Sequence, residues 1–148
     1  MADYFTITRE LAAPRELVFD AITKPEHFAV WFGTAAVEVP TESLSMDVRP
    51  GGEFRAVMVL PDGNRINWAG EYVEVDPPAR VTMTLSDNPD QYAGLPVLFD
   101  LEEIESGTRL TISQDRADFG DEQVAATIAG YNAFVDEIER ELVRMQKG

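Results

Sequence analysis

The strongest constraint on this chain lies near its C-terminal end. Val124, Ile128, Tyr131, Val135, Ile138, Leu142 and Met145 follow one another at steps of 4, 3, 4, 3, 4 and 3 residues. That spacing puts them on one face of an α-helix. Phe134 widens the stripe, while Asp136, Glu137, Glu139, Arg140 and Glu141 take the other faces. A helix from Glu122 to Gln146 spans about 36 Å at 1.5 Å per residue. Such a face must be buried, either in a coiled coil or over a sheet of the same chain. The preceding residues favour the sheet, because a long sheet with one apolar face needs a cover and no other segment is long enough to supply it.

Those preceding residues read mostly as strands. YFTITRE alternates, with Phe5 and Ile7 on one side. Pro14 suits the first turn of a helix, and Leu17, Val18, Ala21 and Ile22 then recur at helical spacing. Lys24-Pro25 interrupts that helix, and Glu26 to Phe32 forms a second helical turn rich in aromatics. From there to about Arg116 the period changes to two. TAAVEV and SMDV are short strand candidates, followed by the turn Arg49-Pro50-Gly51-Gly52. EFRAVMVL sets Phe54, Ala56, Met58 and Leu60 against Glu53 and Arg55. Pro61 to Asn64 is a hairpin turn, since Asp-Gly accepts the positive φ such turns require. RINWAGEYVEV, RVTMTLS, VLFDLEEI and TRLTISQ follow, joined by Asp76-Pro77-Pro78, the polar stretch from Ser86 to Asp90 with Gly94 and Pro96, and Ser106-Gly107. Short links favour antiparallel pairing, because parallel pairs need long crossovers. The expected architecture is α+β: a strand, two short helices, six strands and one long helix, with a curved antiparallel sheet wrapped around that helix. At 148 residues the chain is expected to be a single domain over 1–148.

Composition narrows the function. Hydrophobic residues make up 45% of the chain, which excludes wholesale disorder, and no apolar run approaches the length needed to span a bilayer. The opening MADYFTITRE has neither a basic nor an apolar leader region, so a soluble cytoplasmic protein is expected. The absence of cysteine removes disulfides and thiolate-ligated metals. Twenty-seven acids against twelve bases give a net charge of −15, without a basic cluster to offset it. Such a field repels phosphate backbones, whose binding depends on Lys and Arg displacing counterions.

Few residues point to catalysis or metal binding. His27 is the sole histidine, and no Gly-x-Ser-x-Gly elbow accompanies it, so it reads as structural or solvent-facing. The acids Glu102, Glu103 and Glu105, and Asp118, Asp121 and Glu122, lack a calcium-loop pattern. The first group ends a strand, with neighbours on opposite faces. The second precedes the long helix, where acids favour the positive dipole end and Asp121 can cap it. Arg49 to Gly52 lacks a Walker lysine and reads as a strand turn. No catalytic residue, metal site or cofactor is expected.

The segment AAPRELVFDAITKPEHFAVWFG resembles the first helical pair of the family of homologues of the activator of the 90-kDa heat-shock-protein ATPase, part of the START-like or SRPBCC superfamily. VRPGGEF, DGNRINWAGEYVEVDPPARV and GTRLTI match further, and Gly130-Tyr131 sits where this family typically has Gly-Trp. The resemblance implies a helix-grip fold, in which a cavity is often left between sheet and helix. It thereby implies a module that binds a small apolar or amphipathic molecule. A cyclase- or hydrolase-like enzyme in the same cavity, or a chaperone-associated interaction domain, are the alternatives; the chain is expected to be a monomer or homodimer. Phe54, Met58, Trp68, Met83, Phe99, Tyr131 and Phe134 occupy alternate or helical positions that face such a gap, and Trp31 in the aromatic turn joins them. On the last strand the inward face of Leu110 and Ile112 continues to Gln114 and then Arg116, the candidate polar groups. The long helix is expected to approach the sheet most closely, or bend, around Gly130, because an unforced glycine inside a helix is unfavourable.

The charge yields a direct test. Titration of a random-sequence DNA or RNA duplex at physiological salt should show no saturable binding, and salt-sensitive saturation would contradict this reading.

Overall fold

The structure, a computed structural model, describes residues 4–33, 37–86, 94–117 and 119–147. Strand β1 (Tyr4–Leu11) leads into helices α1 (Arg15–Thr23) and α2 (Pro25–Gly33). Strands β2 (Ser45–Met46), β3 (Glu53–Val59), β4 (Arg65–Asp76), β5 (Arg80–Leu85), β6 (Leu95–Ile104) and β7 (Gly107–Asp115) follow, and helix α3 (Asp121–Lys147) closes the series. The strands form one antiparallel sheet in the order β1-β7-β6-β5-β4-β3-β2. This is the helix-grip fold. The first strand therefore pairs with the last, Tyr4 opposite Asp115 and Leu11 opposite Thr108, while the two short helices carry the chain across to the far edge.

The shorter strand candidates need correction. Of TAAVEV, residues 34–36 lie outside the described residues, and Glu38 makes an isolated bridge to Val59. SMDV contributes only Ser45 and Met46 to a strand. Residues 87–90 and Asp118 also lie outside the described residues. Asp121 opens α3 as its first residue, but its carboxylate takes Arg116 Nη2 at 2.5 Å.

Strand β4 produces the curvature. Its residues 65–71 pair with β3 and residues 72–76 pair with β5, with a register shift between Tyr72 and Glu74. A bulge of this kind bends and twists the strand, so the two halves of the sheet face each other around the core. At Gly70 the backbone of β5 comes so near that an added Cβ would stand 1.8 Å from Thr84 O. The β6–β7 hairpin meets the end of β1 in the same manner. Gly107 has φ +144°, and a Cβ there would lie 2.2 Å from Leu11 O. One residue on, Thr108 is fully buried and donates its hydroxyl to Ala13 O at 2.7 Å. That hydrogen bond satisfies a carbonyl where the chain leaves the sheet for α1.

Helix α3 rests on α1, α2 and β1 rather than on the centre of the sheet. Tyr131, Val135, Ile138 and Leu142 are its buried apolar face; Val124 and Ile128, earlier on the same stripe, are only half-buried. Polar contacts fix the helix from two sides. Arg9 on β1 reaches Asp136 at 2.7 Å, Glu139 at 2.5 Å and Asn132 at 3.2 Å, and these carboxylates hold its guanidinium pKa above the ordinary value. His27 on α2 bonds Glu141 through Nδ1 at 2.6 Å, and Glu141 also holds Arg144 at 2.5 Å. His27 is therefore a tie between two helices.

Gly107→Ala should destabilise the protein by more than about 1 kcal/mol, because the new Cβ meets backbone and the positive φ strains any L side chain. Chemical denaturation measures this.

Candidate ligand-binding cavity

Where α3 leaves the sheet uncovered, a partly open cavity of about 250 Å³ remains. Its walls come from most of the fold. Helix α2 contributes Phe28, Trp31 and Phe32; the sheet contributes Trp68, Met83, Leu85, Leu95, Phe99 and Gln114; Phe119 closes the end before α3. The helix contributes Gln123, Thr127, Gly130, Tyr131 and Phe134.

The rings of α2 act as a wedge. Phe32 stacks on Phe134 of α3 at 5.4 Å with an interplanar angle of 25°, and meets Trp68 edge-on at 5.4 Å. Trp31 meets Phe134 at 5.7 Å and is anchored from behind, donating its indole N–H to Ala21 O at 2.8 Å. Aromatic contacts of this kind each add about 0.5–1.5 kcal/mol beyond area burial. They hold α3 against α2 and keep it off the face of β4 to β6.

One polar pair faces this apolar enclosure. Gln114 lies on β7 between Phe5 of β1 and Val97 of β6, and only 7% of it is exposed. The strand alternates strictly, with Thr108, Leu110, Ile112 and Gln114 all inward, which is why a glutamine reaches the interior. Tyr131, 8% exposed, donates its hydroxyl to Gln114 Oε1. Burial pushes the phenol pKa well above its ordinary value, so Tyr131 keeps its proton at neutral pH. Tyr131 is the one ionisable side chain among the described lining residues. No group of three or more potential metal ligands occurs among the described residues.

The structure brings Trp31, Trp68, Met83, Phe99, Gln114, Tyr131 and Phe134 to the cavity and leaves Phe54, Met58 and Arg116 away from it. Phe54 is fully buried behind α2, 5.2 Å from Phe28 and 6.4 Å from Tyr72. Met58 is buried further along the same strand, paired across to Ile66. Arg116 fails because β7 ends at Asp115, so alternation no longer applies. Its Nε donates to Phe119 O at 3.1 Å and its Nη2 to Asp121, which ties down the turn into α3.

Gly130 also departs from expectation. The helix runs unbroken through it, and an added Cβ would find nothing within 4 Å. There is no close approach at this position, and the glycine simply borders the cavity. Pattern reading overlooked Gln123 and Thr127 as well. With Gly130 and Phe134 they form a second helical stripe, one residue out of step with the apolar one, and the signal for it was the small and polar character of 123, 127 and 130 at helical spacing.

The family model described as Activator of Hsp90 ATPase homolog 1-like protein matches residues 12–143. The chain belongs to this family. Solved structures agree with the fold of this AHSA1-like chain. The AHSA1 protein of Silicibacter pomeroyi superposes with a TM-score of 0.83 at 24% identity, covering 97% of this chain and 99% of the other. A protein from Nitrosomonas europaea gives 0.81 at 25% identity, over 98% and 97% of the two chains. An AHSA1-like protein from Aeromonas hydrophila gives 0.82 at 20%, over 97% and 94%. A comparison with curated proteins returned no match. No helix among the described residues is long and apolar enough to cross a membrane.

Gly130→Ala should raise stability by about 0.4–1 kcal/mol, since the position is helical, open and free of positive φ. A loss of stability in thermal unfolding would mean that the site is packed after all.

Proposed function

We propose that this AHSA1-like chain is a binding module that holds a small apolar or amphipathic molecule between the sheet and α3. The observation that carries this reading is the lining itself: aromatic and aliphatic side chains from five elements converge on an open space of about 250 Å³ and surround a single buried polar pair. Small-molecule sites have this constitution, with mostly apolar walls and a few placed polar groups. A well-packed core leaves few voids larger than a water molecule, so a cavity of this size is not ordinary packing. The family supports the reading at the level of fold.

Catalysis by a cyclase or hydrolase would call for a titratable group against the bound molecule. Among the described lining residues Tyr131 is the sole candidate, and its proton is committed to Gln114. A carrier needs only apolar walls and an orienting group, and these are present.

The neutral fluorophore N-phenyl-1-naphthylamine tests the proposal. It should bind saturably with one-to-one stoichiometry and quench the fluorescence of Trp31 and Trp68, both of which line the cavity. Thr127→Trp, placed at the open side, should weaken binding by about tenfold or more, equivalent to about 1.4 kcal/mol, with the melting temperature little changed. No saturable binding to the wild-type protein would overturn the proposal.

A further inference from the structure

We propose that the cavity selects uncharged ligands that present a hydrogen-bond acceptor, such as a ketone or ester carbonyl, to Nε2 of Gln114. This rests on the binding reading above and specifies its ligand class.

The inference follows from which hydrogen-bonding capacity is already used. Tyr131 has one O–H, and burial obliges it to find an acceptor. Gln114 Oε1 is the acceptor it has. The reverse arrangement, with Nε2 donating to the phenol oxygen, would leave the buried hydroxyl proton unpaired, at a cost comparable to a lost hydrogen bond. The carboxamide is thus fixed with its oxygen engaged by Tyr131. Its remaining capacity is the two N–H donors of Nε2, on a side chain that lines the cavity. Both of these unspent N–H groups are donors, so a carbonyl-type acceptor is their complement.

Charge selection follows from the same walls. No Asp, Glu, Lys, Arg or His lies among the described lining residues. A carboxylate or ammonium entering this space would lose its hydration without gaining a counter-charge. The cation closest in sequence to Gln114, Arg116, is turned away toward Asp121. The net charge of −15 adds a further barrier to anions. Ring shape is matched by the stacked pair Phe32 and Phe134 and by the indole of Trp68, which favour a flat partner.

Three probes of nearly equal shape decide the matter by isothermal titration calorimetry. They are 2-acetylnaphthalene, its alkene isostere 2-isopropenylnaphthalene, and 2-naphthoate. The ketone should bind about two- to tenfold more tightly than the alkene, the range a net hydrogen bond supplies. The carboxylate should bind at least about tenfold more weakly than the ketone, as expected for an uncompensated buried charge. In Gln114→Leu/Tyr131→Phe, which removes donor and phenol together without leaving an orphan, the ketone-to-alkene ratio should fall to about one while alkene binding persists. The wild-type ranking decides on its own should that variant fold poorly. Equal affinity for ketone and alkene, or tightest binding by naphthoate, would overturn this inference while leaving the binding module intact. Failure of all three probes would bring down both.

Discussion

Everything about the candidate site depends on where α3 is seated. The helix is held by α1, α2 and the β1 edge, and its best-buried residues, Val135, Ile138 and Leu142, all lie in its second half. Over the first half the wedge of Phe32 and Trp31 against Phe134 sets the spacing between helix and sheet. The inner faces of β4, β5 and β6 are then too far away to be covered by the helix. Were α2 to carry small side chains, α3 could settle onto Met83 and Phe99, and the apolar stripe would seal the sheet along its whole length. The cavity is therefore a consequence of large aromatic residues in α2, the segment whose aromatic richness already stood out in the sequence.

The electrostatics divide the molecule in a way that serves such a cavity. Arginines are drawn to outward partners: Arg9 to Asp136 and Glu139, Arg80 to Asp100, Arg109 to Glu102 and Glu10, and Arg116 to Asp121. Exposed pairs of this kind contribute only about 0–1 kcal/mol each. Their larger effect is placement, since they hold cations at the surface and away from the apolar interior. The surplus of acids remains solvated. The described lining of the cavity is left with neutral polar groups only. Among the described residues, Trp68 Nε1, Arg15 Nε and the Tyr72 hydroxyl are buried without a hydrogen-bond partner. For Tyr72, burial and then the nearby Asp47 carboxylate push the phenol pKa up, which keeps it neutral.

The fold was legible in the sequence because its signals are periodic and redundant. Alternation in β3 and β7, the Asp-Gly turn and the long 3-4 stripe of α3 each reappear as elements at nearly the expected positions. Gln114 was legible for the same reason, as the next inward step of a regular strand. Arg116 was not, because nothing in the residues Gln114-Asp115-Arg116 marks the point where the strand stops. Phe54 and Met58 share the inward face with cavity residues, yet the period of a strand cannot tell which part of a face a neighbouring helix will cover. Phe54 is covered by Phe28 and Phe32, and that contact joins residues far apart in sequence.

The second stripe of α3 shows why the walls of the cavity were harder to read than its floor. An α-helix turns 100° per residue, so Gln123, Thr127, Gly130 and Phe134 lie beside Val124, Ile128, Tyr131 and Val135 without sharing their direction. A search for apolar periodicity finds the second set because burial rewards it. The first set has no such signature: a glutamine, a threonine and a glycine at helical spacing look like solvent-facing filler. Yet an open cavity requires side chains that neither fill the space nor pay for exposure to water, and small or polar residues satisfy both conditions. Tyr131 stands where the two faces meet. Its ring belongs to the buried stripe, and its hydroxyl crosses to Gln114, so one residue couples the packing of the helix to the polar floor of the site.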